Sequence, residues 1–130
     1  MRSAARAPRS RSRPDRRGRA GRGVRFVVAE GASSGKPAWW LVGDDGRRIA
    51  WSGRPFDDHA KALAACVAFK SKSNTFTYEV YLDTREQPRW RVRDRLGRTL
   101  ALASDSFATK SLAVHDAHAV KDGARYAEGP

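Results

Sequence analysis

The sequence predicts an α+β protein built from two copies of one strand–strand–strand–helix unit. Three observations carry that prediction. At an offset of 51 residues the chain repeats itself across residues 38–70 without a gap. Eight pairs are identical: Trp39/Trp90, Gly46/Gly97, Arg47/Arg98, Ala50/Ala101, Phe56/Phe107, Ala62/Ala113, Ala68/Ala119 and Lys70/Lys121. Roughly two or three would fall there by chance in such a composition. Second, short segments with strand-like alternation are bounded by Gly, Pro and Asp. Third, Ala62, Cys66 and Phe69 align with Ala113, Ala117 and Val120, a four-then-three spacing that marks one helical stripe. A unit of this kind cannot bury its apolar face alone, so the core lies between the copies.

Each element has a local reason. In copy one, residues 25–29 read as a strand and residues 31–37 as a Gly/Ser-rich loop. Residues 38–43 form a second strand. Asp44-Asp45-Gly46 turns it, and Asp-Gly supplies the positive φ that a type I′ hairpin demands. Residues 49–52 are a third strand, broken by Gly53-Arg54-Pro55. Asp57 or Asp58 then caps a helix reaching about Ser71. Copy two has strands at residues 76–82, 89–93 and 99–103, with a turn at Arg95-Leu96-Gly97. Thr109 caps a helix that ends at Asp122-Gly123, where Gly123 suits a left-handed C-terminal cap. A last short strand is expected at residues 124–127. Because side chains alternate along a strand, Trp39, Leu41, Trp90 and Val92 share the core face. Trp40 lies on the other face, where copy two carries Arg89, Arg91 and Arg93. Trp51 is read as core.

The net charge of +12 is unevenly placed. Residues 1–25 hold ten Arg against one Asp, so the remainder of the chain is nearly balanced. Residues 1–24 contain almost no apolar side chains and are expected to be a disordered Arg-rich tail. One cysteine, Cys66, excludes an intrachain disulfide and any Cys-based metal site. No apolar run approaches the roughly 18 residues of a membrane span, and no apolar stretch follows the basic N-terminus as a secretion signal would require. A cytoplasmic protein with no membrane partner is expected.

The string W-R-V-R-D-R-L-G-R-T-L-A at residues 90–101 resembles the pattern of the YegP-like domains. These are short bacterial domains of unknown function, often in tandem. W-W-L-V-G-D-D-G-R-R-I-A at residues 39–50 is a looser match. Phe56 and Phe107 stand where the pattern has an aromatic residue before the helix. Val120-Lys121 matches its close, and Phe69-Lys70 approximates it. Leu96 and Asp116 depart from the pattern, which bears on the turn and on helix packing. The resemblance implies two β-β-β-α-β repeats, at residues 25–74 and 75–127, forming one globular unit. They would share a single antiparallel sheet, with the last strands exchanged and two helices on one face. It implies no activity, and no catalytic residue carries over.

The remaining motifs weigh toward structure. His115-x-x-His118 falls on one helix face but has no third ligand in the repeat, so a solvated surface is the better reading. Cys66 sits on the core stripe, where a cysteine is an inert small hydrophobe. Asp44-Asp45 and Asp57-Asp58 suit turns and caps rather than acid–base work. With no nucleophile, base and orienting group together, no enzyme and no cofactor is expected. Two functional readings stay open. One is a binding module holding nucleic acid or another polyanion without sequence preference. Its contacts would come from Arg9, Arg11, Arg13, Arg16, Arg17, Arg19 and Arg22, and from the face bearing Arg89, Arg91 and Arg93. The other is a structural or protein-interaction module, monomeric or homodimeric, that docks an unknown protein at an exposed Trp40.

Overall fold

The computed structural model describes residues 23–31 and 33–130. It is an α+β fold with one six-stranded antiparallel sheet and two helices. Strands β1 (Arg25–Glu30), β2 (Pro37–Val42) and β3 (Arg48–Trp51) are followed by helix α1 (His59–Lys72). Strands β4 (Thr77–Leu82), β5 (Pro88–Arg93) and β6 (Thr99–Ala103) are followed by α2 (Lys110–Gly123). The sheet order is β1-β2-β3-β6-β5-β4, so the two copies meet edge to edge at β3 and β6. There Ala50 faces Ala103 and Trp51 faces Leu102. Helix α1 packs on β1 and β2, and α2 packs on β4 and β5. The apolar spacing explains this. Cys66 and Phe69 of α1, and Ala117 and Val120 of α2, join Trp39, Leu41, Trp90 and Val92 in one buried cluster, and Ala62 and Ala113 on the same stripes are buried too. The Asp58 and Thr109 side chains cap the helices, accepting from Lys61 N (2.8 Å) and Leu112 N (3.1 Å).

The hairpins correct the expected turn. Gly46 N donates to Gly43 O at 3.0 Å, and Gly97 N donates to Asp94 O at 3.0 Å. Among the turn residues only the glycines have positive φ, +84° and +79°. A type I′ turn needs positive φ at both central residues. These are instead type I turns closed by one left-handed glycine, the three-residue loop that goes with a bulge. The register shifts accordingly at Leu41/Val42 and at the equivalent Val92/Arg93. The repeat itself carries one irregularity. Val28 pairs with Trp39 and Val80 with Trp90, so copy one has one more residue between its first two strands.

The expected strand at residues 124–127 is absent. Ala124–Tyr126 is a 3-10 turn, and a single parallel bridge joins Glu128 to Arg25. Ala124 and Ala127 are buried in the central cluster, so the chain tucks inward there instead of running along an edge. The α2 helix passes straight into this turn, and Gly123 keeps right-handed geometry (φ −111°) rather than forming a left-handed cap. Both copies therefore end in a crossing. After α1, residues 73–76 travel from the β1–β2 half to β4 at the far edge. After α2, residues 124–127 travel back to β1, where Glu128 N donates to Val24 O at 3.0 Å. Gly129 lies against Phe26 so closely that a Cβ would strike the Phe26 carbonyl.

Candidate functional site

The face of the sheet away from the helices divides by copy. In copy one it is apolar: Ala38, Trp40 and Val42 are buried, with Val27, Ala29 and Trp51 packed around them. The sequence leaves Trp40 as an exposed stacking residue, a contact between subunits or cover for the N-terminal residues; it is not exposed, with only 8% accessible. Trp51 stacks beside it with ring centroids 6.2 Å apart, and the Arg48 guanidinium lies 4.7 Å from its ring centre. Trp51 belongs to this second cluster, not to the main core, because β3 turns it to the face opposite Ala50. A shallow depression of about 750 Å³ adjoins the pair, edged by Arg47, Arg48 and Asp105.

In copy two the same face is ionic. Arg89, Arg91 and Arg93 project from alternate positions of β5 as expected, and all three are half-buried. They are also engaged. Arg89 Nε lies 3.1 Å from Asp83 Oδ2, and Arg89 Nη1 donates to Ala103 O. Arg91 donates to Glu79 Oε1 and stacks on Tyr81. Arg93 Nε lies 3.2 Å from the same Glu79 oxygen, off the line a hydrogen bond needs. The hydrogen bond from Arg91, with the Arg93 charge beside it, outweighs partial desolvation and holds the Glu79 carboxyl below its ordinary pKa. The Gln87 N–H, then those of Arg85 and the Arg89 guanidinium, do the same for Asp83. Two carboxylates thus absorb most of the charge of three arginines. Arg9, Arg11, Arg13, Arg16, Arg17, Arg19 and Arg22 lie outside the described residues.

The larger opening is on the helix side. A groove of about 1120 Å³ runs between α1 and the β5–β6 turn. Phe56, Phe69, Phe76 and Leu100 are among the apolar side chains that line it, with Trp39 at the base. Trp39 and Phe69 have centroids 4.8 Å apart, and Phe69 stacks on Phe76 at 5.8 Å. Arg54, Lys72 and Arg95 stand at its rim. Ser52 Oγ donates to Arg54 O at 2.7 Å, and Phe56 N donates to Pro37 O at 2.7 Å, so the segment carrying Arg54 is pinned at both ends. The Arg54 guanidinium then lies 4.6 Å from the Phe56 ring centre. Arg95 is placed by Asp94, whose carboxylate accepts from Leu96 N (2.9 Å), Arg98 N (3.0 Å) and Arg98 Nε (2.8 Å). Desolvation opposes ionisation of Asp94, but these donors prevail and its pKa falls. Among the described residues, Arg54, Lys72 and Arg95 have no carboxylate within ion-pair distance.

Sequence reasoning missed this groove, although a signal was present. The repeat partner of Arg54 is Asp105, that of Arg95 is Asp44, and that of Ala65 is Asp116. The sign of the charge reverses between copies at two of the three rim cations while the aromatic positions below persist as Trp39/Trp90 and Phe56/Phe107. The other motifs stay peripheral. His115 and His118 are exposed on α2, and Cys66 is buried, with burial pushing its thiol up to about 11 against the lowering effect of Lys70. Among the described residues no group of three His, Cys, Asp or Glu is arranged to hold a metal, and no helix is long and apolar enough to cross a membrane.

The fold has counterparts of known structure. The chain superposes on a UPF0339 protein from Shewanella oneidensis with a TM-score of 0.64 and 10% identity, over 79% of this chain and 86% of the other. It superposes on yegP from E. coli, a protein of unknown function, with a TM-score of 0.65 and 14% identity, over 81% and 89%. The fold is therefore YegP-like. No family model and no curated protein matches the sequence.

Proposed function

We propose that this chain, which has the fold of yegP, is a non-catalytic binding module for nucleic acid, held chiefly through its phosphates. One observation carries the reading. Arg54, Lys72 and Arg95, none of which has an acidic partner among the described residues, border one groove lined with aromatic rings. Electrostatic contacts to a backbone combined with aromatic platforms are how proteins hold nucleic acid without sequence preference. The Arg89–Arg93 stripe is a weaker seat, because Glu79 and Asp83 already occupy its guanidinium groups. The Arg-rich N-terminal residues add long-range attraction of the same sign.

Fluorescence anisotropy of a labelled oligonucleotide, titrated across salt concentrations, tests the reading. Each phosphate contact removed changes the slope of log K against log salt by about 0.7–0.9. Arg54→Ala with Arg95→Ala should flatten the slope by roughly two such steps, and Arg89→Ala should change it less. Absence of binding by the full chain at low salt overturns the proposal. A protein-docking role for the Trp40 face is the second reading. The burial of Trp40 leaves it little accessible surface to offer a partner.

A further inference from the structure

Trp39 and Trp90 hold equivalent positions, yet their indole N–H groups are treated differently. Trp90 Nε1 donates to Asp116 Oδ2 at 2.8 Å. The equivalent of Asp116 in copy one is Ala65, which offers no acceptor. Trp39 Nε1 has no hydrogen-bond partner among the described residues, although Trp39 is only 1% accessible. Among the described residues, the side-chain polar atoms both sealed from solvent and unpaired are Arg93 Nε and Ser104 Oγ. The Trp39 nitrogen is not one of them, and both Trp39 and Ala65 line the α1 groove. The Trp39 N–H is thus open to the groove, where the acceptor of a ligand can take it in place of water. The groove therefore offers one N–H donor at its base, the rings of Phe56, Phe69 and Phe76 along its walls, and three cations at its mouth.

Building on the nucleic-acid reading above, we propose that the α1 groove receives an unstacked base of a single strand. An acceptor on the base edge takes the Trp39 N–H while the flanking phosphates meet Arg54, Lys72 and Arg95. A duplex cannot present this combination, because its bases stay stacked and its edges face the grooves of the helix. The module is then selective for single strands although it reads no particular sequence. Copy two cannot do the same. Asp116 already takes its indole donor, and Asp105 and Asp44 replace two of the rim cations.

The natural experiment within the chain supplies the variant. Ala65→Asp installs in copy one the carboxylate that copy two already accommodates beside its own tryptophan. The full chain, wild type and variant, is titrated with labelled oligouridylate and with an oligoadenylate–oligouridylate duplex. The indole N–H resonances are followed by ¹H–¹⁵N NMR, with Trp39 assigned by Trp39→Phe. The wild type should bind the single strand more tightly than the duplex, with the Trp39 indole resonance shifting on saturation. Ala65→Asp should weaken single-strand binding by about tenfold or more, the range a lost base–aromatic contact produces, and should bring its affinity near that of the duplex. The wild-type shift stands even if the variant proves unstable. Binding of neither nucleic acid overturns the nucleic-acid reading and this inference with it. Equal binding of single strand and duplex, with an unmoved Trp39 resonance, overturns only the inference. Displacement by polyglutamate at equal charge would assign the groove to acidic peptides and overturn it too.

Discussion

Trp51 and Leu102 occupy the same position in the two repeats, and they stand directly opposite each other across the β3–β6 seam. A residue can face its own equivalent only on a two-fold axis. The seam is thus an isologous contact of the kind that joins the halves of a symmetric dimer, here closed within one chain. Ala50 opposite Ala103 keeps the register, since each is one step from that axis along its strand.

Copy one on its own should not persist as a folded monomer. A chain of residues 24–74 leaves the β3 edge unpaired and loses the core contributed by copy two, and such an edge invites pairing with another chain. Size-exclusion chromatography with light scattering should find either an unfolded chain or a homodimer in which two copies of β3 pair at Trp51. A stable folded monomer would show that the repeats are independent.

The tryptophans rank by burial. Trp39→Ala and Trp90→Ala should each cost about 3–5 kcal/mol, the usual loss on emptying a large buried site. Trp40→Ala should cost about 3 kcal/mol, near the lower end of that range, because Trp51 and Arg48 cover it although neither α1 nor α2 does. Urea melts check the ranking. A negligible loss at Trp40 would mean that the second apolar cluster contributes nothing to stability.

Acid should loosen copy two first. Glu79 and Asp83 have pKa values held below ordinary by their arginine and backbone partners. A carboxyl with a depressed folded pKa stabilises the fold above its unfolded pKa, about 4, and that contribution disappears as pH falls through the folded value. Glu79→Gln should lower the melting temperature at neutral pH and leave the protein less sensitive to pH below about 4. An unchanged acid profile would remove Glu79 from the account.

Cys66 should be silent to thiol reagents in the native state. Its thiol is buried and its pKa raised to about 11, so little thiolate exists near neutrality. Ellman's reagent should react at the rate of unfolding, and denaturant should release the full signal. Rapid modification of the native protein would show that α1 opens readily.

The helix side of the sheet was legible because both copies obey it. Trp39 with Trp90, Leu41 with Val92 and Ala62 with Ala113 repeat the same burial, so each copy checks the other. The far face was not legible for the opposite reason. There Trp40 aligns with Arg91 and Val42 with Arg93, so the repeat gives no second reading. Alternation placed Trp40 on the correct face, but it says nothing of what lies over a ring, and Arg48 and Trp51 are separated from Trp40 by a hairpin. The turn type was missed because Asp-Gly suits two hairpin geometries, and the bulges at Leu41 and Val92 decide between them. The groove was missed because Arg54, Lys72 and Arg95 come from the segment after β3, the end of α1 and the β5–β6 turn, which the β3–β6 pairing and the packing of α1 bring together. The final strand is replaced by a 3-10 turn because Ala124 and Ala127 turn into the central cluster, leaving a single bridge from Glu128 to Arg25.

Joining the halves end to end changes what a mutation can do. In a homodimer built on the same axis, every substitution appears twice, and two clefts related by the axis must carry identical charge. The single chain is released from that identity. Arg54 can face a ligand while Asp105 occupies its mirror place and pairs with Arg47 at 3.2 Å. Such a molecule has a polarity that a symmetric pair is forbidden. One half can carry a cationic cleft while the other is free to remain scaffold.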